Sequence, residues 1–340
     1  MVTPDRNSDD CHKAADTPDE PATEPGGVSA LIARILNQLS LTAWLPAAFF
    51  VFSIAILFQF RESDSPDLGG AVTMLVHDPW PVLVATIPLV VIATMLTQAF
   101  SFEAIRVLEG YWTSRGPVGL VNRLLSQRFT RRRLKLIQRL TELQHVAQLA
   151  ALKTLWTANP SPFPRPVVWA LDSKIRGGEE PPLLSDTDKE LIARFNWEKY
   201  MPEWALSRID DLTSKINRIP KKRALPTTLG NTLRSTELRL HTVDGDIEGF
   251  VIRHRHLVPK SVREHHDQYR NRLDMYCILV FVSLALTALT PALLISSDIP
   301  LWGTTLIAMG FLLLALVSYG AAVASARGYC SMLMEMNAAI

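Results

Sequence analysis

Anion binding is the chemistry that the residues between Lys221 and Glu237 are best suited to perform. Three consecutive cations stand just before a proline, two threonines, a glycine and an asparagine, which together are typical of a helix start. A helix start exposes backbone N–H groups that attract phosphate or carboxylate. The candidate residues of an anion or partner site are therefore Lys221, Lys222, Arg223, Thr227, Gly230, Asn231, Arg234 and Glu237. The alternative is an ordinary capped helix whose leucines pack into a core: Leu229, Leu233 and Leu240.

The types and spacing of the residues give little support for a metal site or for covalent catalysis. Two pairs of histidines lie close in sequence, but neither spacing places two imidazoles on one helix face as a zinc motif requires: His254, His256, His265 and His266. The three cysteines form no C-x-x-C pair: Cys11, Cys277 and Cys330. The sequence also contains no Walker loop, nucleophile elbow or paired-carboxylate signature. We therefore expect no metal, no cofactor and no enzymatic activity.

Four windows free of Asp, Glu, Lys and Arg must position these residues. They cover residues 35–60, 79–102, 275–297 and 299–326, and they are 26, 24, 23 and 28 residues long. A helix needs about 20 apolar residues to cross a bilayer, and soluble core helices are usually shorter and carry a polar stripe. The sequence predicts an all-α integral membrane protein with four transmembrane helices in two hairpins and a helical cytoplasmic domain between them.

The distribution of charge predicts how the chain is threaded. Residues 102–272 hold 30 Lys or Arg against 19 Asp or Glu, whereas the other 169 residues hold 5 against 14. The loop at 61–79 contains one Arg, and the turn at 296–300 contains none. Lys and Arg concentrate on the cytoplasmic side of membrane proteins. We therefore expect a multi-pass protein of the cell membrane whose N-terminus, central domain and C-terminus face the cytoplasm.

A basic run lies between the second span and the rest of the central domain: Arg131, Arg132, Arg133 and Lys135. Anionic lipid headgroups attract such residues near a membrane surface, and a plain solvated face is the alternative. No aromatic side chains are interleaved with the run, and no nucleic-acid-binding module is visible. The expected partner is the lipid bilayer, with anionic headgroups and a second copy of the chain as further candidates. Nucleic acid is not expected.

Changes in composition set the domain boundaries. Residues 1–27 are polar and acidic, which predicts a disordered cytoplasmic tail. Residues 28–40 carry apolar side chains on one helix face, so they form either an amphipathic helix in the membrane interface or the first turns of span one. The predicted order continues with transmembrane hairpin 1 at 41–102, a basic helical cytoplasmic domain at 103–272, transmembrane hairpin 2 at 273–326 and a cytoplasmic C-terminal tail at 327–340.

Proline and glycine divide the central domain into helices. The prolines at 160–166 favour extended chain, residues 167–185 read as irregular, and residues 249–252 are compatible with extended chain. The remaining pattern is helical. The predicted helices cover 103–112, 118–156, 186–219 with a division at Pro202, a segment from 229 or 233 to 240, and 261–272 leading into span three.

Three segments resemble a family of uncharacterised bacterial multi-pass membrane proteins. Residues 225–237 read L-P-T-T-L-G-N-T-L-R-S-T-E, which is similar to that family's L-P-T-x-L-G-N-x-L-R-x-x-E signature. Residues 109–112 resemble its E-G-Y-W segment, and residues 319–329 resemble its small-residue exit helix. The chain departs from the family at 244–247 and 253–257, where Tyr-Gly-x-Asp and Trp-Pro-Arg-Leu are replaced. The resemblance implies a multi-pass membrane protein and no particular activity.

Two function classes fit this organisation. The first is a membrane-anchored scaffold or signalling component whose cytoplasmic domain binds a partner. The alternative is an oligomeric ion channel with spans two and three lining the pore, an order of hairpins similar to that of bestrophin-type channels. Hydroxyl and amide side chains along these spans could line a pathway: Thr94, Thr97, Gln98, Ser283, Thr287 and Thr290. Small residues four apart predict a helix packing face: Gly320, Ala324 and Gly328.

Overall fold

The computed structural model describes residues 41–62, 79–112, 115–158, 160–178, 184–240, 247–295 and 299–339. Every regular element in these ranges is a helix, and they contain no strand. The prediction of an all-α chain is therefore confirmed for the described residues. The predicted tail at 1–27, the segment at 28–40 and most of the loop at 61–79 lie outside them.

The described ranges contain ten α-helices, numbered here in chain order. They are α1 (Leu41–Glu62), α2 (Pro79–Glu109), α3 (Gly116–Thr157), α4 (Arg165–Arg176), α5 (Asp186–Ala193), α6 (Glu203–Asn217), α7 (Thr228–Glu237), α8 (Ile247–His254), α9 (Lys260–Leu294) and α10 (Leu301–Ala338). Short 3₁₀ turns lie at Trp197–Lys199 and Arg255–Leu257.

Helices α1, α2, α9 and α10 are long and apolar enough to cross a membrane, by length and composition. Their charge-free stretches are residues 41–60, 79–102, 275–294 and 301–326. Helix α2 continues for seven residues beyond its charge-free stretch before it ends at Glu109. At 1.5 Å per residue, Glu109 lies about 10 Å beyond that stretch.

Helices α9 and α10 form the centre of the fold. They pack along each other, and the pairing is antiparallel. Tyr269, early in α9, lies where a Cβ on Gly328, late in α10, would be, whereas Leu286, late in α9, shares a cluster with Ile307, early in α10. The sequence predicts a packing face at Gly320, Ala324 and Gly328. Gly328 does face α9, whereas a Cβ on Gly320 would meet nothing within 4 Å among the described residues.

The C-terminal segment predicted as a tail is part of this core. Helix α10 continues without a break to Ala338. Tyr329, Leu333 and Met336 are buried there in one cluster with Phe250 of α8. Because the sequence loses its continuous apolar character after residue 326, its composition indicates the end of a span but not the end of the helix.

Helices α1 and α2 pack on the outside of the central pair. The Phe49 ring of α1 meets Phe311 of α10 edge-on, with centroids 6.3 Å apart. Leu57 of α1 is buried in a cluster with side chains of α9: Ile278, Val282 and Leu286. Helix α2 packs against α9 and α7.

The middle of the chain folds around α3, which has 42 residues and is about 63 Å long. It packs against α4 and α6. Its second half, together with α4, α5 and α6, forms a unit that we call the head (residues 144–217). The head encloses a cluster to which no described residue of α1, α2, α9 or α10 belongs: Leu152, Val167 and Leu171, with Phe163, Phe195 and Trp197 packed against them.

Two segments differ from the sequence-based expectation. Residues 165–176 form α4 rather than extended or irregular chain, because Pro166 suits the first turn of a helix and Gly177, with a φ of 70°, ends it. Its apolar residues recur at helical spacing but over only 12 residues, which is too short a run to outweigh the surrounding prolines. Residues 249–252, for which extended chain was an option, lie inside α8.

Candidate functional site

The start of α7 is held by the side chains of the segment that the sequence analysis singles out. Thr227 is the N-cap, and its hydroxyl oxygen accepts a hydrogen bond from the N–H of Gly230 over 3.1 Å. The Asn231 side chain is 1% exposed; it accepts from the N–H of Leu225 over 2.7 Å and donates to the Leu225 carbonyl over 2.8 Å. The loop before α7 is therefore folded back onto the first turn of the helix.

Two glycines allow α7 to approach the end of α2 backbone to backbone. A Cβ on Gly230 would overlap the carbonyl group of Glu109, the last residue of α2. Gly110 has a φ of 92°, which only glycine adopts readily. A Cβ on Gly110 would also overlap the ring of Pro226. Glycine is thus required at both positions for steric reasons.

Helix α10 contributes the remaining cap of α7. The Tyr319 hydroxyl accepts hydrogen bonds from the N–H groups of Thr228 and Leu229, over 3.2 and 3.4 Å. With Thr227 bound to the Gly230 N–H, the first three N–H groups of α7 are all satisfied from within the chain. An anion binding at this helix start would first have to displace the Tyr319 hydroxyl.

The predicted site residues divide into three groups. Thr227, Gly230 and Asn231 lie together at the α7 start. Arg234 and Glu237 follow on the same helix and line a cavity described below. The three cations of the preceding turn are exposed and do not line that cavity among the described residues: Lys221, Lys222 and Arg223.

A cavity of about 400 Å³ lies where α2, α7, α9 and α10 meet, and we call it the junction cavity. Its lining includes apolar side chains: Phe102, Ile105, Leu233 and Leu273. It also includes charged side chains of both signs, which we call the charged wall: Arg106, Glu109, Arg234, Glu237, Arg270 and Asp274. Each of α2, α7 and α9 contributes both apolar and charged residues to the cavity.

Hydrogen bonds and ion pairs connect several of these charges. An Arg234 Nη donates to the Tyr111 hydroxyl over 3.5 Å, and Arg270 Nε lies 3.5 Å from an Asp274 carboxylate oxygen. The Nε of Arg234 is buried without a partner among the described residues. The junction cavity therefore links the segment after α2 with α7, and α9 completes its charged wall.

Glu109 is the carboxyl group most strongly affected by this environment. Burial raises its pKa to about 7, and the negative charge of Glu237 acts in the same direction. The positive charges of Arg270 and Arg106 act in the opposite direction and only partly offset the increase. Glu109 thus exchanges a proton near neutral pH, which ordinary surface glutamates do not.

Of the four histidines that the sequence analysis considers, His254 and His266 lie in packing positions, whereas His256 and His265 are exposed. His266 is buried, its Nδ1 lies 3.1 Å from Asp267 Oδ1, and its ring stands 4.9 Å from the Tyr329 ring. His254 Nδ1 lies 2.9 Å from the carbonyl oxygen of Phe250. Within the described ranges, no group of three or more His, Cys, Asp or Glu side chains could hold a metal ion.

Sequence reasoning misses the partners that complete the site, namely Arg106, Tyr319, Arg270 and Asp274. The available signal is the resemblance, because its three segments, 109–112, 225–237 and 319–329, all meet around α7. Comparisons of the chain with family models, curated proteins and solved structures give no match.

Proposed function

We propose that this chain is a membrane-anchored scaffold or signalling component whose cytoplasmic helices bind a partner protein. In this proposal α1 and α2 form one transmembrane hairpin and α9 and α10 form the other. The basic central part and both termini face the cytoplasm. The excess of Lys and Arg in residues 102–272, against their scarcity in the two short connections, supports this orientation.

One observation carries the proposal: the head has a hydrophobic core of its own, and both of its ends connect to the apolar helices. Its core cluster contains no described residue of the four apolar helices, and α3 leads to it from the end of α2. At the other end of the head, the chain returns through α7, which is fastened to α2 by Thr227 and to α10 by Tyr319. A head held in this way is suited to presenting a binding surface at a fixed place beside the membrane.

The head exposes large aromatic side chains of the kind that protein interfaces use. Trp156, Trp169 and Trp204 are 47%, 48% and 50% exposed, and Leu191 is 46% exposed. Tryptophan is enriched at the centres of protein interfaces, where truncation often costs more than 2 kcal/mol. We expect the partner to cover these side chains.

The spans themselves support the scaffold more than the channel. Ser283 and Thr290 are fully buried inside the chain. The hydroxyls of Thr94 and Thr97 donate to carbonyls of their own helix, over 2.7 and 3.0 Å. The side chains that α2 exposes over residues 87–102 are mainly apolar, with Gln98 as a polar exception. Most of the polar side chains considered for a pathway are therefore buried or bonded to their own helix, whereas a pore would need them on its wall.

Photocrosslinking in intact cells tests the proposal. A photoreactive amino acid replaces Trp169 or Trp204 in the head, and the matched control replaces Trp302, which is 73% exposed at the start of α10. We expect an adduct of one defined mass from the two head positions and none from position 302. Adducts from no head position, together with ion flux through liposomes that contain the purified protein, would favour the channel instead.

Reporter fusions test the threading separately. A compartment-sensitive reporter at residue 70 is expected to report the outer side, and one at residue 180 the cytoplasm. The same compartment at both positions would contradict the proposed orientation but would not affect the packing of α7.

A further inference from the structure

A second polar cavity lies on the other side of α7, between α6, α7 and the end of α10. It has a volume of about 580 Å³. Three arginines from three different segments line it, and we call it the arginine groove: Arg218, Arg239 and Arg327. Arg218 follows α6, Arg239 follows α7, and Arg327 belongs to α10. These arginines are 21 and 88 residues apart in sequence. The charges are therefore brought together by the fold and not by a local run of basic residues.

The floor of the arginine groove is polar. Thr232, Ser235 and Thr236 of α7 are buried there and line the groove. Their hydroxyls donate to carbonyls of α7 itself, over 2.9 Å from Ser235 to Thr232 and 3.3 Å from Thr236 to Thr232. A hydroxyl can rotate to donate to a ligand instead, so the floor can contribute hydrogen bonds when the groove is filled.

One exposed carboxylate, Asp210 of α6, also lines the arginine groove, so three positive charges face a single negative one. None of the three arginines forms an ion pair in the part of the chain that the structure describes, whereas other arginines do, for example Arg176 with Asp172 and Arg255 with Asp267. Arg218 only donates to the Ser214 hydroxyl, over 3.2 Å.

Two of these arginines also act on each other. Burial lowers the pKa of Arg327, and the positive charge of Arg218 lowers it further. Like charges that outnumber the nearby carboxylate and form no ion pair among the described residues reduce stability, and proteins keep such arrangements mainly where function needs them.

We propose that the arginine groove binds a phosphate group through Arg218, Arg239 and Arg327. Guanidinium groups match phosphate oxygens with paired N–H donors and stay charged at all physiological pH values. The volume lies in the range of small-molecule sites, about 300–1,000 Å³, and exceeds what a bare phosphate needs. The bound phosphate therefore carries a substituent, as a phosphate monoester or a phospholipid headgroup does.

The position of the groove leaves these two sources of phosphate open. Arg327 is the first charged residue after the charge-free stretch of α10, so it lies at the depth of lipid headgroups. Arg218 and Arg239 extend the groove toward α6, which packs on α3 of the head. A phosphate bound here would join the head to a span on the side of α7 opposite to the junction cavity.

The full-length chain, purified in detergent and in nanodiscs, provides the test. The variants are R218Q combined with R327Q, and the matched control R208Q, which lies on α6 beside the Trp204 ring and outside the groove. Thermal unfolding is followed with increasing pyrophosphate at constant ionic strength. Nanodiscs of phosphatidylcholine alone are compared with nanodiscs of equal parts phosphatidylcholine and phosphatidylglycerol.

We expect pyrophosphate or the phosphatidylglycerol nanodiscs to raise the unfolding temperature of the natural chain and of R208Q alike. Apparent affinity should fall on the order of tenfold or more in the double variant, because each guanidinium supplies charge-assisted hydrogen bonds. Stabilisation by pyrophosphate in phosphatidylcholine nanodiscs identifies a soluble phosphate, and stabilisation by phosphatidylglycerol alone identifies a headgroup. No stabilisation by either, or equal losses in R208Q and the double variant, would overturn the proposal.

The stability of the single variant R327Q without ligand distinguishes an arginine that binds phosphate from one that serves packing. Without any added phosphate, removal of one of two repelling charges should leave the unfolding temperature unchanged or higher. A lower unfolding temperature in R327Q would show that Arg327 serves packing rather than phosphate binding, and it would overturn its assignment to the site.

Discussion

The Thr227 hydroxyl donates a hydrogen bond to the carbonyl oxygen of Glu109 over 2.8 Å, across 118 residues of sequence. The same hydroxyl oxygen accepts from the Gly230 N–H, so one side chain both caps α7 and fastens it to the end of α2. A carbonyl at a helix C-terminus has no partner within its own helix. The Thr227 side chain thus satisfies the last carbonyl of α2 and an N–H at the start of α7 together, which makes this junction a natural point for coupling α2 to α7.

Gly230→Ala tests the close approach of α7 to α2. The added methyl group would overlap backbone atoms of Glu109, which cannot move aside as a flexible side chain could. We expect a loss of about 1–3 kcal/mol in the free energy of unfolding, measured as a lower unfolding temperature in detergent. The control is Gly310→Ala in α10, where a Cβ meets nothing within 4 Å among the described residues. Equal stability of the two variants would contradict the packing described for Gly230.

Tyr319→Phe tests the cap that α10 provides. The variant keeps the ring and removes the acceptor of two backbone N–H groups of α7, so a loss of about 1–3 kcal/mol is expected. Tyr276→Phe is the matched control, because the Tyr276 hydroxyl makes no hydrogen bond among the described residues and its ring packs in the same cluster. Hydrogen exchange of the amides of Thr228 and Leu229 should increase in Tyr319→Phe alone. Protection that is unchanged in both variants would refute this role of Tyr319.

Arg133→Gln separates one member of the basic run from its neighbours. The Nε of Arg133 donates over 3.2 Å to the carbonyl oxygen of Ile219, just after α6, and thereby joins α3 to the chain that leads to α7. Loss of a hydrogen bond from a charged donor costs about 1.5–3 kcal/mol. Arg132→Gln removes the same charge from an exposed position and should leave the unfolding temperature nearly unchanged. If both variants lose equal stability, the effect belongs to net charge and not to this contact.

The four helices that are long and apolar enough to cross a membrane could be predicted from the sequence, because such a helix requires continuous apolar composition, and composition is local. The same is true of the Thr227 cap and the long helix α3, which depend on residues within a few turns. Helix α4 could not be predicted, since its 12 residues are stabilised by packing of Val167 and Leu171 against Leu152 of α3. That packing depends on tertiary structure and leaves only a weak periodic signal among prolines.

The candidate site could be predicted only in part for a similar reason. Gly230 and Asn231 stand out by type, and their sequence neighbours suggest a helix start. Glu109, which lies against Gly230, and Tyr319, which caps Thr228 and Leu229, are about 120 and 90 residues away along the chain. One sequence carries no information about which distant residues will meet. The anion site predicted at the α7 start stays a prediction, and the geometry places a more open group of positive charges in the arginine groove.

Glu109→Gln tests the junction cavity through the pH dependence of stability. Burial and the nearby Glu237 charge raise the folded pKa of Glu109 from 4.5 to about 7. The folded chain therefore binds this proton more tightly than the unfolded chain does. Between about pH 4.5 and pH 7 the unfolded state has lost the proton that the folded state retains, so stability must fall as pH rises through this window, by at most about 1.4 kcal/mol per pH unit.

The measurement is the difference in unfolding temperature between the natural chain and Glu109→Gln from pH 5 to pH 8, because the difference cancels the titration of groups that do not interact with Glu109. Relative to the variant, the natural chain should lose stability up to about pH 7 and then level off. Glu237→Gln is the companion variant: without the second negative charge the Glu109 pKa falls, so the decline should end at a lower pH. A difference that stays constant across this range would mean that Glu109 keeps an ordinary pKa and that the charged wall of the cavity does not act on it.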